Sequence, residues 1–243
     1  MVDIHCHLIY GVDDGAASFD VSETMLADAA RQGITDIIAT PHYREGMFPY
    51  DVDTVLNNYY RVSETAERLG LRLFLGCEYH ADYDMLGNLR NKRVATLAGS
   101  NYVLVEFSYT SSYINVHNKI NELISEGYIP VIAHAERYGI FQKDPGLLMQ
   151  FREMGAYVQL NADSILGTDG GTIRRTCKKI LKEDLADIVA SDSHDMKERR
   201  NRMYECRKLL EKKLGNANAN RLFENVPRMI IRSANEDYRR YSS

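Results

Sequence analysis

The sequence has no closely spaced cysteine pair and no long apolar run. Its four cysteines, Cys6, Cys77, Cys177 and Cys206, are far apart, which excludes a zinc ribbon or a redox pair and favours reduced thiols in the cytoplasm. No apolar run approaches the length needed to span a bilayer, and no basic stretch followed by an apolar one marks a signal peptide. We therefore expect a cytoplasmic protein without membrane insertion.

Net charge is also small. A value of −4 over 243 residues gives no global electrostatic reason to bind nucleic acid or an anionic membrane. With 44% hydrophobic and 26% charged residues, the composition is that of an ordinary globular protein. No repeat, low-complexity segment or linker divides the chain, so we expect one domain over residues 1–232 and a polar, frayed tail over 233–243. Nothing in the sequence indicates the oligomeric state.

Short runs rich in Val, Ile, Leu and Tyr alternate with longer segments of helical periodicity. Such alternation predicts an α/β fold with parallel strands and right-handed crossovers, either a barrel or an open doubly wound sheet. The predicted strands are 2–9, 34–40, 72–76, 102–107, 129–133, 156–161 and 187–191. The predicted helices are 18–32, 52–69, 81–91, 115–126, 144–154, 171–182, 197–214 and 216–225.

Metal-binding residue types fall at or just after the ends of these strands. A single histidine or carboxylate of this kind is as often an ordinary surface or core residue, but the C-terminal edge of parallel strands is where functional groups gather. The spacing His5-Cys6-His7 also puts both imidazoles on one face of a strand. A metal site is therefore predicted. The nine candidate ligands are His5, His7, Asp14, His42, Glu78, Glu106, His134, Asp192 and His194.

The predicted ligands are imidazoles and carboxylates without a thiolate, which suits Mn, Fe or Zn. Nine ligands exceed what one tetrahedral ion uses, so two or three ions are expected. Ions about 3.5–4 Å apart can clamp a phosphoryl group and activate water. The sequence thus predicts hydrolysis of a phosphate ester.

The motifs around these residues resemble the polymerase-and-histidinol-phosphatase (PHP) superfamily. Within it, Gly11-Val-Asp-Asp-Gly15, Ala133-His-Ala-Glu-Arg-Tyr138 and Ala190-Ser-Asp-Ser-His194 are similar to the bacterial manganese-dependent protein-tyrosine phosphatases that control capsule and exopolysaccharide synthesis. The resemblance runs from Met1 to about Arg232. Further matching motifs are Asp3-Ile-His-Cys-His7, Thr40-Pro-His42, Gly76-Cys-Glu78 and Glu106.

The resemblance implies a distorted (β/α)7 barrel with its metal site at the C-terminal ends of the strands. Manganese would be the preferred ion, and relatives often carry Ser at the position of Cys6. Three ions would be held by His5, His7, Glu78 and Asp192, by Glu78, Glu106 and His134, and by Asp14, His42 and His194.

The resemblance also implies the substrate and the residues that bind it. Arg137 would bind the substrate phosphate, and Arg199 or Arg200 would supply a second cation. Asp14 would donate a proton or serve only as a ligand. The substrate would be the tyrosine-rich tail of a membrane-associated tyrosine kinase.

Several alternatives can be weighed from the residues alone. A cysteine phosphatase requires Arg six residues after its nucleophile, and no cysteine has one there. A histidinol-phosphate phosphatase, the nearest competing enzyme, would carry His in place of Asp14 and a longer chain. A non-catalytic barrel would have lost a ligand, whereas all nine are present. Arg137 has a structural alternative, pairing with Glu136 or a surface carboxylate, and Arg44 is expected on a solvated face.

Overall fold

The structure is a computed structural model that describes residues 1–48, 50–81 and 84–234. Its strands form two parallel sheets, one of three strands in the order β1-β2-β4 and one of six in the order β3-β5-β6-β7-β8-β9. The strands are β1 Val2–Cys6, β2 Asp36–Ala39, β3 His42–Tyr43, β4 Arg72–Leu75, β5 Glu78–His80, β6 Tyr102–Glu106, β7 Ile129–Ile132, β8 Tyr157–Asn161 and β9 Ile188–Ala190.

Helices connect the strands and cover the sheets. Among the described residues, no helix is both long enough and apolar enough to cross a membrane. Short 3₁₀ turns occupy Leu97–Gly99 and Ala135–Arg137, and a π-turn occupies Arg221–Asn225. The α-helices are α1 Phe19–Arg31, α2 Val52–Arg68, α3 Met85–Arg90, α4 Tyr113–Ser125, α5 Gly139–Lys143, α6 Leu147–Met154, α7 Ala162–Leu166, α8 Gly171–Lys182, α9 Met203–Leu214, α10 Asn216–Asn220 and α11 Val226–Arg232.

The two sheets curl into one distorted barrel, which confirms the predicted fold. β3 continues the line of β2 after Pro41, and β5 continues β4 after Gly76 and Cys77, so nine segments fill seven strand positions. The first and last strands meet at the Cys6–Ser193 bridge, where the His7 N–H donates to Ser193 O at 2.9 Å. All strand pairs are parallel.

Several predicted boundaries are wrong. The second and third strands each continue as a short separate strand that was not predicted, β3 after Pro41, which has no N–H to donate, and β5 after Gly76 and Cys77. The helix predicted over 197–214 begins only at Met203, and α5, α7 and α11 were not predicted. Helix 81–91 is observed as Met85–Arg90; residues 82–83 and the tail from 235 onward lie outside the described residues.

A β-bulge in β1 decides which of its side chains face the barrel interior. Asp3 pairs with Ile37 and Cys6 with Ala39, so three steps along β1 match two along β2. Val2 and Ile4 pack inside the barrel with residues of β6, β7 and β9. After the extra residue, His5 and His7 also point inward, as their contacts with Gln159 and Glu78 show. Cys6, between them, faces the helices.

The apolar core has two layers that follow strand alternation. Val103, Val105 and Ile132 face the helices, whereas Leu104 and Val131 face the barrel interior. The inner layer is extended by Ile230 and Ile231 of α11. Both faces of the sheet are therefore buried, as expected of a parallel sheet, and the polar side chains at one end of the barrel form a separate layer above the core.

The loop after β1 leaves no space for a side chain at Gly15. A Cβ there would lie 2.2 Å from the His7 carbonyl oxygen and 2.6 Å from its Cβ. We expect Gly15→Ala to lower the free energy of unfolding by about 1–3 kcal/mol, measured by urea denaturation, because the loop must move. Gly171→Ala is the matched control, since no heavy atom lies within 4 Å of a Cβ at that position. Equal stability of the two variants would contradict this account.

Candidate metal centre

Four histidines converge on the carboxylate of Glu78, which is completely buried at the start of β5. Its Oε2 lies 3.1 Å from His5 Nε2, 3.2 Å from His7 Nε2 and 3.1 Å from His42 Nδ1. Its Oε1 lies 2.8 Å from His134 Nε2. Imidazoles from three different places in the barrel, the ends of β1 and β7 and the start of β3, thus meet at one carboxylate.

His5, His7, Glu78 and Asp192 form a tight, fully buried group. One ligand atom from each lies within 4.8 Å of the others. The Nε2 atoms of His5 and His7 are 3.1 Å apart, and each lies within 3.5 Å of Asp192 Oδ1. The structure therefore brings together the same four residues that the resemblance implied for one ion.

Two further groups extend the centre. His7, Asp14, His42 and His194 form one of them, which contains all three residues implied for a separate ion. The other is His42, Glu78 and Glu106. His134 stands beside it, with Nε2 3.8 Å from Glu106 Oε1. All nine predicted residues thus gather at one end of the barrel, although the compact group around Glu78 and Glu106 contains His42 and not His134.

Several buried atoms of the centre make no hydrogen bond of good geometry in the described part of the chain, although nitrogen and oxygen atoms lie close to them. They are His42 Nδ1, Glu78 Oε2 and His194 Nε2, and all three belong to the groups above. Orphaned buried polar atoms are costly. The Nε2 atoms of His5 and His7 also face each other and two carboxylates at hydrogen-bond distance. Cations placed between these nitrogen and oxygen atoms would satisfy them, so the residues present fit a metal centre.

Charge within the centre agrees with that fit. Burial alone would raise the pKa of the Glu78 carboxyl, but the facing imidazoles of His5 and His42 hold it well below its usual range. Burial, with the nearby charge of His7, lowers the pKa of His194 to about 4. Burial also lowers the pKa of His42. Ionised carboxylates and neutral imidazoles are the forms that bind metals. Burial alone would lower the pKa values of His5 and His7, but the facing carboxylates raise them, so a metal ion would displace protons from these two imidazoles.

Residues that sequence reasoning missed hold the ligands in place. Asp13 Oδ2 accepts the His7 Nδ1–H at 2.8 Å and the His42 N–H at 2.9 Å, which directs His7 Nε2 into the centre. Such carboxylate–histidine pairs fix both the tautomer and the orientation of a metal ligand. The adjacent aspartates in the motif 11–15 were the available signal, but spacing did not show which one would be the ligand.

β8 contributes no predicted ligand but supports three. Gln159 Oε1 accepts the His5 Nδ1–H at 3.1 Å and the His134 N–H at 2.9 Å. Gln159 Nε2 donates to Asn161 Oδ1 at 2.8 Å, and Asn161 Nδ2 donates to Asp192 Oδ2 at 2.7 Å. A polar face on an otherwise apolar strand was the signal for this pair.

Two of the candidate ligands have a backbone conformation that L-residues rarely adopt. His134 has φ 31° and Asp192 has φ 53°, at the ends of β7 and β9. Strained backbone of this kind is concentrated at functional sites, where surrounding contacts hold it. Here the Asp192 N–H donates to His5 O at 2.8 Å, so this hydrogen bond joins the strained backbone of one candidate ligand to the backbone of another.

Arginines line the mouth of the centre, a cavity of about 190 Å³. Arg137 Nη1 lies 3.1 Å from Asp192 Oδ2 and Nη2 lies 3.0 Å from Asp169 Oδ2. Arg199 pairs with Asp14 and Asp192, both at 3.3 Å. Arg200 pairs with exposed Glu205 instead, and Arg44 lines the cavity. Of the two candidates for a second cation, the structure brings only Arg199 to the centre.

The remaining two histidines, His80 and His117, are not candidate ligands. His80 is in none of the three groups, although its Nδ1 lies 3.1 Å from Glu106 Oε2 and so steadies that carboxylate. His117 packs on Tyr113 and Phe151, away from the centre. All four cysteines are buried and unlinked. Burial raises the pKa of the Cys6 thiol to about 12, which makes it a poor nucleophile.

The fold and the site together define a class: a parallel β/α barrel that carries a polynuclear His, Asp and Glu centre, with arginines at its mouth. The chain belongs to the CpsB/CapC family of capsular polysaccharide synthesis, whose model matches residues 1–232. The PHP-type phosphatase resemblance seen in the motifs is thereby confirmed at the level of the family. The individual ligand and substrate roles, and the domain boundary at residue 232, stay predictions.

Known relatives cover almost the whole chain. Tyrosine-protein phosphatase CpsB of Streptococcus pneumoniae is 34% identical over 238 residues, 95% of this chain and 98% of its own. Tyrosine-protein phosphatase YwqE of Bacillus subtilis is 32% identical over 239 residues, 95% and 91% of the two chains. A structure from the crystallographic work on these two proteins, described as unique metal-dependent tyrosine phosphatases, matches with a TM-score of 0.89 and 31% identity, covering 97% of this chain and 96% of the other.

Loss of the charge on Asp13 tests the supporting contacts. We expect Asp13→Asn to weaken manganese binding by roughly 10–100-fold, because His7 then loses the carboxylate that orients it. Affinity can be measured by competition with a fluorescent chelator. Asp20→Asn is the matched control, an exposed aspartate in the first turn of α1. Equal affinities in the two variants would show that Asp13 has no part in holding the metal.

Proposed function

We propose that this chain is a metal-dependent protein-tyrosine phosphatase, a phosphoric monoester hydrolase that acts on phosphotyrosine. The observation that carries the proposal is the shared carboxylate of Glu78, around which the other eight metal-type side chains gather beneath Arg137. Relatives at 30% identity or more over nearly the full chain are named tyrosine-protein phosphatases. That likeness favours phosphotyrosine over a small-molecule ester such as histidinol phosphate.

Two or three ions would be held by the nine candidate residues. His5, His7, Glu78 and Asp192 would bind one, and Asp14, His42 and His194, with His7 beside them, would bind another. Glu78, Glu106 and His134 would bind a third. Imidazole and carboxylate donors suit manganese, iron or zinc, and the family resemblance favours manganese among them. Bound ions would supply Lewis-acid stabilisation of the phosphoryl group and a water nucleophile of lowered pKa.

Arg137 is placed to bind the phosphoryl oxygens. Its guanidinium lines the cavity and is held from behind by Asp169. Asp169 is itself fixed by the Ser164 hydroxyl, which donates to Oδ2 at 2.6 Å. A planar guanidinium pairs with two phosphate oxygens at once. Arg137 also forms the carboxylate pairs that a purely structural role would predict, with Asp169 and Asp192. These pairs hold the guanidinium in one orientation, which is compatible with binding a phosphate. Arg199 would add the second cation.

Asp14 suits a ligand better than a proton donor. The adjacent imidazole of His194, whose Nε2 lies 3.5 Å from Asp14 Oδ1, holds the pKa of the Asp14 carboxyl well below its usual range. Asp14 is therefore ionised at neutral pH and has no proton to give. Phenolate is a tolerable leaving group, so ester cleavage does not depend on a strong general acid.

The substrate we propose is the phosphorylated, tyrosine-rich tail of a membrane-associated tyrosine kinase that regulates capsule or exopolysaccharide synthesis. Membership of a capsular polysaccharide family and the names of the relatives support this choice. We place the reaction in the cytoplasm, where buried, unpaired thiols such as those of this chain are stable.

Metal removal tests the mechanism directly. We expect metal-loaded protein to hydrolyse phosphotyrosine peptides and a chelator to abolish turnover. Mn²⁺ should restore turnover, because the nitrogen and oxygen atoms of the centre would bind it again. Phosphate release is the measurement, with histidinol phosphate as competing substrate. Turnover that survives exhaustive chelation would exclude metal catalysis, and faster turnover of histidinol phosphate would exclude the proposed substrate.

Arg137→Ala tests the phosphate-binding role. We expect kcat/KM for a phosphotyrosine peptide to fall by roughly 10²–10³-fold, because a preorganised donor to the transferring group is removed. Metal content, measured by elemental analysis, should stay unchanged. Arg175→Ala, at an exposed arginine of α8, is the control. Wild-type turnover in the Arg137 variant would contradict the phosphate-binding role and leave Arg137 only its structural ion pairs with Asp169 and Asp192.

A further inference from the structure

The mouth of the centre contains three residues that neither phosphate nor metal chemistry explains. Nine of the twelve residues lining the cavity are acidic, basic or histidine. The exceptions are Met47, Phe48 and Tyr109. The side chains of Met47 and Tyr109 are more than half exposed to solvent, at 55% and 53%. Large apolar groups at the rim of a polar cavity mark a surface that binds something apolar.

Phe48 is held in place by a tight turn. The Phe48 N–H donates to Arg44 O at 2.8 Å, and the Arg44 N–H donates to Phe48 O at 3.3 Å. Gly46, with φ 75°, closes the turn in a conformation that favours glycine. As a result the Phe48 ring lies parallel to the His42 imidazole, with centroids 5.1 Å apart and planes 9° apart. A turn outside the barrel thus presents one aromatic ring to the centre.

Tyr109 reaches the cavity from another loop, the one between β6 and α4. Its ring lies 6.5 Å from the His134 ring and 6.3 Å from that of buried Tyr138. His42 and His134 contact different oxygens of Glu78. Phe48 and Tyr109 therefore stand over the two sides of the same carboxylate, and the cavity opens between the loops that carry them.

We propose that Phe48 and Tyr109, together with Met47, form an aromatic slot that binds the phenyl ring of phosphotyrosine and selects aryl over alkyl phosphates. The proposal rests on the function proposed above and assigns its substrate preference to these residues. A phenyl ring offers large apolar area and favours offset or edge contacts with other rings. The charged side chains of the centre bind the phosphoryl group of any monoester equally, so discrimination requires a separate surface.

Binding of two non-hydrolysable ligands tests the slot. Phenylphosphonate and methylphosphonate share the phosphonate group, and only the first has a ring. For Phe48→Leu and Tyr109→Leu we expect calorimetry on manganese-loaded protein to show phenylphosphonate affinity reduced by roughly 3–10-fold per ring. Methylphosphonate affinity should change by less than about twofold in Phe48→Leu, because no charged group of the centre is removed. Tyr109→Leu also removes a hydroxyl that interacts with Arg137, so for that variant the ratio of the two affinities is the test. Tyr60→Leu, at an exposed tyrosine of α2, is the matched control.

A conservative variant and a kinetic measurement complete the test. Phe48→Tyr should keep the preference for phenylphosphonate, and the double leucine variant should raise KM for a phosphotyrosine peptide more than it lowers kcat. An unchanged ratio of the two phosphonate affinities in the double variant would overturn the slot. So would an equal loss of both affinities in Tyr109→Leu, whose ring does not rest on His42.

The two proposals fail in different ways. Wild-type protein that binds phenylphosphonate preferentially, yet hydrolyses no phosphotyrosine peptide, would contradict the phosphatase and support the slot. Hydrolysis of the peptide by the double variant with wild-type KM would support the phosphatase and overturn the slot.

Discussion

A single buried carboxylate organises the end of the barrel where the strands terminate. Removing an ionised carboxylate from water is costly unless opposite charge or several donors surround it. Glu78 meets that condition only because four imidazoles, two of them from β1 and the others from β3 and the end of β7, approach its two oxygens within 3.2 Å. Each of those imidazoles is in turn fixed by the strand end or loop that carries it. The barrel therefore has to close correctly for Glu78 to be tolerated, and the chemistry and the fold depend on the same contacts.

Much of the fold could be predicted from the hydrophobic periodicity of the sequence and from the polar segments between apolar runs. β6, a five-residue run between polar segments, was predicted to within one residue, and α8 was predicted with its true bounds. The errors have physical causes. β3 and β5 are too short to show a sequence pattern. They form because, beyond Pro41 and Gly76, β3 pairs with β5 and β5 pairs with β6. α11 is continuous with α10 through a π-turn that a 3.6-residue period does not describe.

The nine candidate ligands could be named from the sequence because metal-type residues at strand ends stand out against apolar runs. What could not be named were the residues that aim them. Gln159 and Asn161 carry no charge, and their partners lie 25 to 154 positions away along the chain. The role of Asp13 depends on the path of the loop that brings it to His7. Phe48 and Tyr109 look like ordinary aromatic residues until the turn at Gly46 and the loop after β6 place them over the imidazoles. Long-range geometry, not residue type, gives these side chains their roles.

The bulge in β1 makes chain length itself a determinant of chemistry. With regular pleating from Val2 onward, the inward positions would be Val2, Ile4 and Cys6, and both imidazoles would point at the helices. One additional residue exchanges the two faces midway, so the same five-residue strand seals the barrel at its beginning and presents His5 near its end. Variation along this strand is consequently restricted to exchange of one side chain for another. Deleting or inserting a single residue would leave the sequence motif recognisable, but its two histidines would face the helices instead of the other candidate ligands.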